Sequence, residues 1–410
     1  MADRPYEIVV WGATGFVGKL VCEHVAQNYQ GQVRWAMAGR NKEKLEAVKQ
    51  DLIKMNPDCK DVPILIGDIK DQASVDKIAG STEVVLATAG PYALMGTPIV
   101  DASVRMGSHY CDITGESHWI HKMVKRYHEE AAGKGVKIVH ACGYDSIPSD
   151  LGTTLVVDYI QKQLGKKPAS VDTLVGPIYG NVSGGTVATI FEVLSGPKED
   201  QRISQDPYCL NPPGSHRGSA KDQFGVRYCK PAGKWTSPFL MATANTRIVR
   251  RSAGLLPAVY GDKFEYNEAV ENGSVFGAAA YATGFLMAGA LLFIKPLHPL
   301  LRKVLPAQGQ GPSREVQQKG FWKHTVVGVT EKEADSAPQV VFADVAGKRD
   351  PGYWETSRML LEAGLCLARQ EAQLRNSGML QGGVLTPGTA MGMTLVERLR
   401  NAGMTFSVRH

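Results

Sequence analysis

The stretch Glu7-Ile8-Val9-Val10-Trp11-Gly12-Ala13-Thr14-Gly15-Phe16-Val17-Gly18-Lys19-Leu20 decides how the rest of the chain is read. Its first residues are apolar and β-branched, the composition of a buried parallel strand. Three glycines follow at a spacing of three. Beyond them Val17, Leu20, Val21, His24 and Val25 recur with helical phase. Strand, glycine turn and helix in that order predict a dinucleotide site rather than a chance glycine pattern. Gly12 permits the tight turn, Gly15 lets backbone approach a pyrophosphate, and Gly18 lets helix pack on strand. Gly12, Ala13, Thr14, Gly15, Phe16 and Val17 are the expected phosphate-holding residues. The free N–H groups and positive dipole end of the helix do the holding.

At 410 residues the chain predicts two domains, or one domain with a large insertion. Hydrophobic residues at 43% and charged ones at 21% describe a globular chain, not a disordered one. The net charge of +6 is mild and has no long basic run, which argues against nucleic acid as a partner. Seven scattered cysteines without a CxxC pair argue against a disulfide framework and a structural zinc, and fit a reducing, cytoplasmic compartment. Met1-Ala2-Asp3-Arg4-Pro5 runs straight into the first strand, so no secretory or transit peptide is expected.

Strand and helix then alternate. Residues 33–38 read as a second strand ending at Gly39-Arg40. An enzyme that selects NAD places an acid here, to bond the ribose 2′-hydroxyl. Arg40, with Lys42 and Lys44 behind it, instead matches the 2′-phosphate of NADP(H), which a guanidinium fork binds bidentately. Asn41 is placed to cap a helix from Lys42 to Met55. Residues 64–68 make a third strand ending on Asp68, either an adenine contact or simply the start of a loop. Residues 84–92 make a fourth strand whose small end, Ala89-Gly90-Pro91, lets a cofactor lie against backbone. A helix over 98–106, a fifth strand over 109–112, a helix over 118–133 and a sixth strand over 137–142 follow. Gly143-Tyr144-Asp145-Ser146 then leads to a helix over 150–164, with Ser149 its expected N-cap. This alternation predicts an α/β fold with a doubly wound, Rossmann-type parallel sheet over residues 1–165.

These residues resemble a known family. Gly12-Ala13-Thr14-Gly15-Phe16, Ala38-Gly39-Arg40, Ala89-Gly90-Pro91-Tyr92, Asp112-Ile113-Thr114-Gly115-Glu116 and Tyr144-Asp145-Ser146-Ile147-Pro148-Ser149-Asp150 are similar to the saccharopine dehydrogenase-like oxidoreductases. The nearest branch includes bacterial trans-acting enoyl reductases and animal saccharopine dehydrogenase-like proteins. The resemblance continues through Ser183-Gly184-Gly185-Thr186, Asn245-Thr246-Arg247-Ile248-Val249-Arg250-Arg251-Ser252, Gly311-Pro312-Ser313-Arg314 and Leu385-Thr386-Pro387, nearly the whole chain. One departure is Tyr144, where the branch often carries Phe, which argues against a Tyr144 hydroxyl as a shared proton donor. The resemblance implies a second α+β domain over 166–350, inserted before C-terminal helices over 351–410 that return to the first.

In the second half a strand over 170–177 and a short helix over 187–194 are expected. Residues 195–262 read as irregular and proline-rich, the kind of long connection that carries function. Strands are expected over 263–270, 321–330 and 340–346, and helices over 357–374 and 391–401. Between them, residues 272–294 run without a charge. About 20 apolar residues suffice to cross a bilayer. A true span would separate parts that the fold needs together. The segment is therefore expected to lie on or dip into a lipid surface, a membrane or a lipid droplet, from the cytoplasmic side; Lys295, His298, Arg302 and Lys303 form its basic border. A buried core helix or a homodimer interface is the alternative.

No metal cluster, nucleophile elbow or phosphate-transfer loop is present, so the cofactor must carry the hard step. Hydride transfer from NADPH is the leading reading, to a C=C or C=X bond of a hydrophobic, lipid-type substrate. Reduction of a conjugated C=C bond also needs a proton donor. Tyr92, Asp145 and Ser146 are the candidates, with packing and loop-capping roles as the plain alternative. Two rival readings remain open. A saccharopine-type amino-acid dehydrogenase would clamp several carboxylates with Arg247, Arg250 and Arg251. A non-catalytic NADPH-binding protein would instead work at a membrane or lipid-droplet surface.

Overall fold

The alternation of strand and helix folds as the pattern dictates. The computed structural model describes residues 4–29, 31–180, 196–218, 221–294, 311–334 and 336–409. In it β1 (Tyr6–Trp11), β2 (Trp35–Gly39), β3 (Ile64–Ile66), β4 (Thr82–Ala87), β5 (His109–Asp112) and β6 (Lys137–Val139) pair in parallel, in the order β3-β2-β1-β4-β5-β6. Val9 lies opposite Ala36 on one side and Val85 on the other. Ile8, Val9 and Val10 are wholly buried because helices cover both faces of the sheet. The chain order reverses at β1. The crevice outside the carboxyl ends of β1 and β4 is where such sheets bind ligands.

A second sheet is built from β7 (Pro168–Tyr179), β8 (Arg227–Cys229), β9 (Lys234–Ser237), β10 (Glu265–Asn272), β11 (Phe321–Thr330) and β12 (Val340–Gly347). All its pairs are antiparallel except β7 with β10. That parallel pair requires a crossover, and the helix Ala242–Leu255 lies within it. Two late strands tie the sheets to the chain's end. β13 (Gly383–Leu385) extends the first sheet beside β6, and β14 (Thr405–Val408) extends the second beside β12. The helix Ile147–Lys162 packs on β7, β11 and β12. The helix Thr356–Arg369 packs against β1, β4, β5 and the glycine-turn helix. The C-terminal part is thus joined to both sheets.

Several expectations need correction. Residues 195–262 are not irregular: besides β8 and β9 they hold the helices Lys198–Gln205, Ala242–Leu255 and Pro257–Tyr260. The longest of these has three arginines on a buried surface, a composition that hides a core helix from a reading of hydropathy. Ser149 is not an N-cap; the helix begins at Ile147, and the Ser149 hydroxyl is buried inside it. Asn41 does cap its helix, accepting from Lys44 N at 2.8 Å. The motif at Ser183, the helix over 187–194 and the basic border at Lys295, His298, Arg302 and Lys303 lie outside the described residues.

The uncharged segment forms the helix Val275–Phe293, capped by Ser274, whose hydroxyl accepts from Gly277 N at 3.1 Å. It is not a core helix. Ala278 and Ala282 are buried, but Phe276 is 84% exposed and Met287 66%. Among the described residues no helix is long and apolar enough to cross a membrane.

Candidate functional site

Gly12 turns the chain out of β1 with φ +86°, a left-handed conformation that glycine alone adopts freely. The Gly12 N–H donates to Ala38 O at 3.0 Å, and Gly15 N–H donates back to Gly12 O at 2.9 Å. Thr88, just past β4, donates its hydroxyl to Trp11 O at 2.9 Å and fixes the turn against the sheet. A Cβ on Gly18 would press against Thr88 Oγ1 at 2.8 Å and Ala13 Cα at 2.9 Å, so helix and strand meet only because Gly18 has none. A Cβ on Gly15 would meet only Gly12 O, at 3.2 Å, and otherwise project into open space. Gly15 is also the N-cap of the helix Phe16–Asn28, and among the described residues no side chain caps that helix. Uncapped N–H groups beside an open glycine form a cradle that a pyrophosphate fits.

Around this cradle Ala13 is buried, and Thr14, Phe16 and Val17 are half-buried. The Phe16 ring meets Tyr353 edge-on at 4.5 Å. A Cβ on Gly311 would strike the Phe16 ring, so the Gly311-Pro312-Ser313-Arg314 motif passes directly over the glycine turn. Arg314 extends the contact to Glu23 on the turn helix. At the end of β2, Gly39 is buried and Arg40 stands exposed, free to meet a phosphate. Asp68 is half-buried and shapes its own loop: its Oδ1 accepts from Lys70 N at 3.0 Å. Ala89, Gly90 and Pro91 are half-buried beyond β4.

The three proton-donor candidates separate sharply. Tyr92 is buried under Trp119, and its hydroxyl donates to Ala87 O at 2.9 Å. Burial drives its phenol well above the usual range. Its proton points into the fold, and Glu116 fixes the residue by accepting from Tyr92 N and Ala93 N, both at 2.8 Å. The Ser146 hydroxyl is buried and donates to Asn245 Oδ1 at 3.1 Å. Asp145 is half-buried at the turn beyond β6, and burial raises its carboxyl to about 6. Its neighbour Tyr144 turns away to the second sheet, where its hydroxyl lies 2.9 Å from His324 Nε2. Burial lowers His324 to about 3, so its imidazole is neutral.

Asn245 and Glu268 join this cluster unforeseen. Asn245 Nδ2 donates to Glu268 Oε1 at 2.8 Å, and Tyr266 donates its hydroxyl to Glu268 Oε2 at 3.0 Å. Burial, reinforced by the nearby Asp145, raises Glu268 to about 7. A signal for it existed: Tyr266 and Glu268 share the inward phase of β10, where a carboxylate is out of place.

The arginines that a carboxylate-rich substrate would require are engaged elsewhere. Arg247 and Arg250 are buried on Asp222, at 2.5 and 3.3 Å. Arg251 donates to the carbonyls of Leu210 and Val384. They hold the helix Ala242–Leu255 to its surroundings and are neither solvated nor facing lipid.

Fold and cradle together define an NADP(H)-dependent oxidoreductase with a Rossmann nucleotide domain, and residues 8–139 match the saccharopine dehydrogenase NADP binding domain. The chain belongs to the saccharopine dehydrogenase-like oxidoreductase family. A putative trans-acting enoyl reductase of Mycobacterium tuberculosis is 36% identical over 424 residues, covering 98% of this chain and 97% of the relative. A trans-acting enoyl reductase of Mycobacterium ulcerans is 35% identical over 428 residues, covering 99% and 98%. The solved structure of saccharopine dehydrogenase (L-Glu forming) from Saccharomyces cerevisiae shares the fold, with a TM-score of 0.55 at 12% identity over 99% of this chain and 100% of that one.

Proposed function

We propose that this protein reduces a C=C bond conjugated to a carbonyl in a hydrophobic, lipid-type substrate, with Asp145 as the proton donor. When bound, NADPH supplies the hydride. The reading is carried by Asp145: a half-buried carboxyl, raised to about 6, at the carboxyl end of the sheet where ligands of this fold bind. A carboxyl so raised keeps its proton nearer to neutral pH and can deliver it where negative charge develops. The names of the 35–36% identical relatives support enoyl reduction. The internal engagement of Arg247, Arg250 and Arg251 weighs against a saccharopine-type amino-acid substrate.

The test is NADPH oxidation against a panel of α,β-unsaturated acyl thioesters, with Asp145→Asn beside wild type. Loss of a general acid slows turnover about 10²- to 10⁴-fold, while NADPH affinity is expected to hold. Because the protonated carboxyl is the active form, wild-type turnover falls as pH rises through about 6. Equal turnover in wild type and variant would remove Asp145 from the chemistry.

A second reading rests on the helix Val275–Phe293. Its exposed Phe276, Leu286, Met287 and Leu291 form an uncharged surface suited to the acyl boundary of a membrane or lipid droplet. This surface serves a reductase that takes substrate from lipid, and equally a non-catalytic NADPH-binding protein stationed there. Turnover with the enone panel separates the two.

A further inference from the structure

Ser146, Asn245, Glu268 and Tyr266 form one chain of hydrogen bonds from the turn beyond β6 into the second sheet. An ionised carboxylate only accepts, so it demands the nitrogen end of the Asn245 amide. The amide oxygen then faces Ser146, and the single Ser146 proton is committed inward. A protonated Glu268 can donate to the amide oxygen instead. The amide then turns over, its nitrogen donates to Ser146, and the Ser146 proton is freed from Asn245.

We propose that Glu268 and Asn245 are positioning residues that set whether Ser146 accepts from, or donates to, a group bound at the Asp145 turn. The inference rests on the reductase reading for its substrate. A carbonyl oxygen is an acceptor, so it selects the state with Glu268 protonated and Ser146 donating. Carbonyl binding at this turn therefore takes up a proton at Glu268, and the site works best where Asp145 also keeps its own proton.

The surroundings of Glu268 suit such a switch. Its hydrogen-bond donors, Asn245 and Tyr266, are neutral. The hydroxyls of Ser149, from the helix Ile147–Lys162, and Thr173, from β7, border the pair and have no partner of good geometry among the described residues. Asp145 is the charged neighbour, and its ionisation holds the Glu268 proton on more firmly; Tyr144, from the same turn, is neutral. Arg250, which reaches β10 from the helix Ala242–Leu255, is turned to Tyr266 O and Asp222.

The experiment follows the side-chain amide of Asn245 by NMR in protein labelled with ¹⁵N-asparagine, its resonances assigned by their loss in Asn245→Ser. In wild type they should shift between about pH 5 and 9 with a midpoint near 7. In Glu268→Gln they should stay fixed over the same range. Wild-type resonances that do not move overturn the relay, whatever Glu268→Gln does and even if that variant folds poorly. No substrate is needed, so this failure is distinct from failure of the reductase reading, which shows as absent enone turnover while the amide still titrates.

Discussion

The backbone N–H of Gly388 donates to Asp150 Oδ2 at 2.7 Å across 238 residues of chain, and Ser252 donates to Oδ1 of the same carboxyl at 2.6 Å. Asp150 thereby binds the helix Ile147–Lys162 to the helix Ala242–Leu255 and to the Leu385-Thr386-Pro387 motif. The capping box of Thr386 and Thr389 presents the Gly388 N–H to it. Burial dominates these donors and raises Asp150 to about 6.

The sign of the pH effect follows from that rise. The folded state holds the Asp150 proton more tightly than the unfolded chain does. Its contribution is therefore full below the unfolded value near 4 and is lost as pH rises through about 6. Asp150→Asn, which keeps an acceptor and a donor, should gain about 1–3 kcal/mol on wild type between pH 4 and 7. Asp150→Ala should instead lose about 1–3 kcal/mol for each orphaned donor. Thermal melts across that range read both; parallel melting curves for wild type and Asp150→Asn would dismiss the linkage.

The glycine turn separates a binding glycine from a packing one. Gly15→Ala meets only Gly12 O, at 3.2 Å, and obstructs the cradle, so NADPH affinity should drop at least about tenfold, or 1.4 kcal/mol, with a smaller change in melting than Gly18→Ala. Gly18→Ala drives a methyl into Thr88 and Ala13 and should cost about 1–3 kcal/mol of stability. Fluorescence titration and thermal melts together distinguish the two. A Gly15→Ala protein with native affinity would place the phosphates elsewhere.

Arg40 stands exposed at the end of β2, where the adenosine ribose of a dinucleotide lies in this fold. Arg40→Asp removes a charge-assisted fork, contributing about 1.5–3 kcal/mol, so NADPH should weaken roughly ten- to a hundredfold. NADH should change far less. Equal losses for both cofactors would show that Arg40 does not read the 2′-phosphate.

The central strands β1, β2 and β4 were legible because they are covered on both faces and read as apolar runs closed by glycine or small residues. β13 escaped for a plain reason. Gly383-Val384-Leu385 is three residues long, and its pairing partner, 137–139, is some 245 positions earlier in the chain. The site divides in the same way. The glycine turn and Arg40 are local patterns, and the turn at Asp145 lies on a recognisable strand end. Asn245 and Glu268 join that turn only through the crossover that makes β7 and β10 parallel. Tyr92 shows the converse. Its expected place at the end of the fourth strand suggested a donor, but it lies beyond β4, where the ring of Trp119 and the carbonyl of Ala87 enclose it.

The last prediction concerns the helix Val275–Phe293. A helix exposing Phe276, Leu286, Met287 and Leu291 to water leaves an apolar face uncovered, which proteins retain where something apolar covers it. We predict that lipid covers it. The helix packs against β9 and β10, and Ala278 and Ala282 are its buried residues among those described, so the outer face can enter a bilayer surface without disturbing either sheet. Purified protein should float with anionic liposomes. The pair Phe276→Glu and Met287→Glu, both at exposed positions, should abolish flotation and leave the melting temperature nearly unchanged, since surface substitutions shift stability by about 0.5 kcal/mol or less. If a second copy of the chain covers the face instead, the wild type will stay with the soluble fraction and sediment as a dimer, and the same pair will yield a monomer. That result would end the lipid assignment and make the helix a subunit interface.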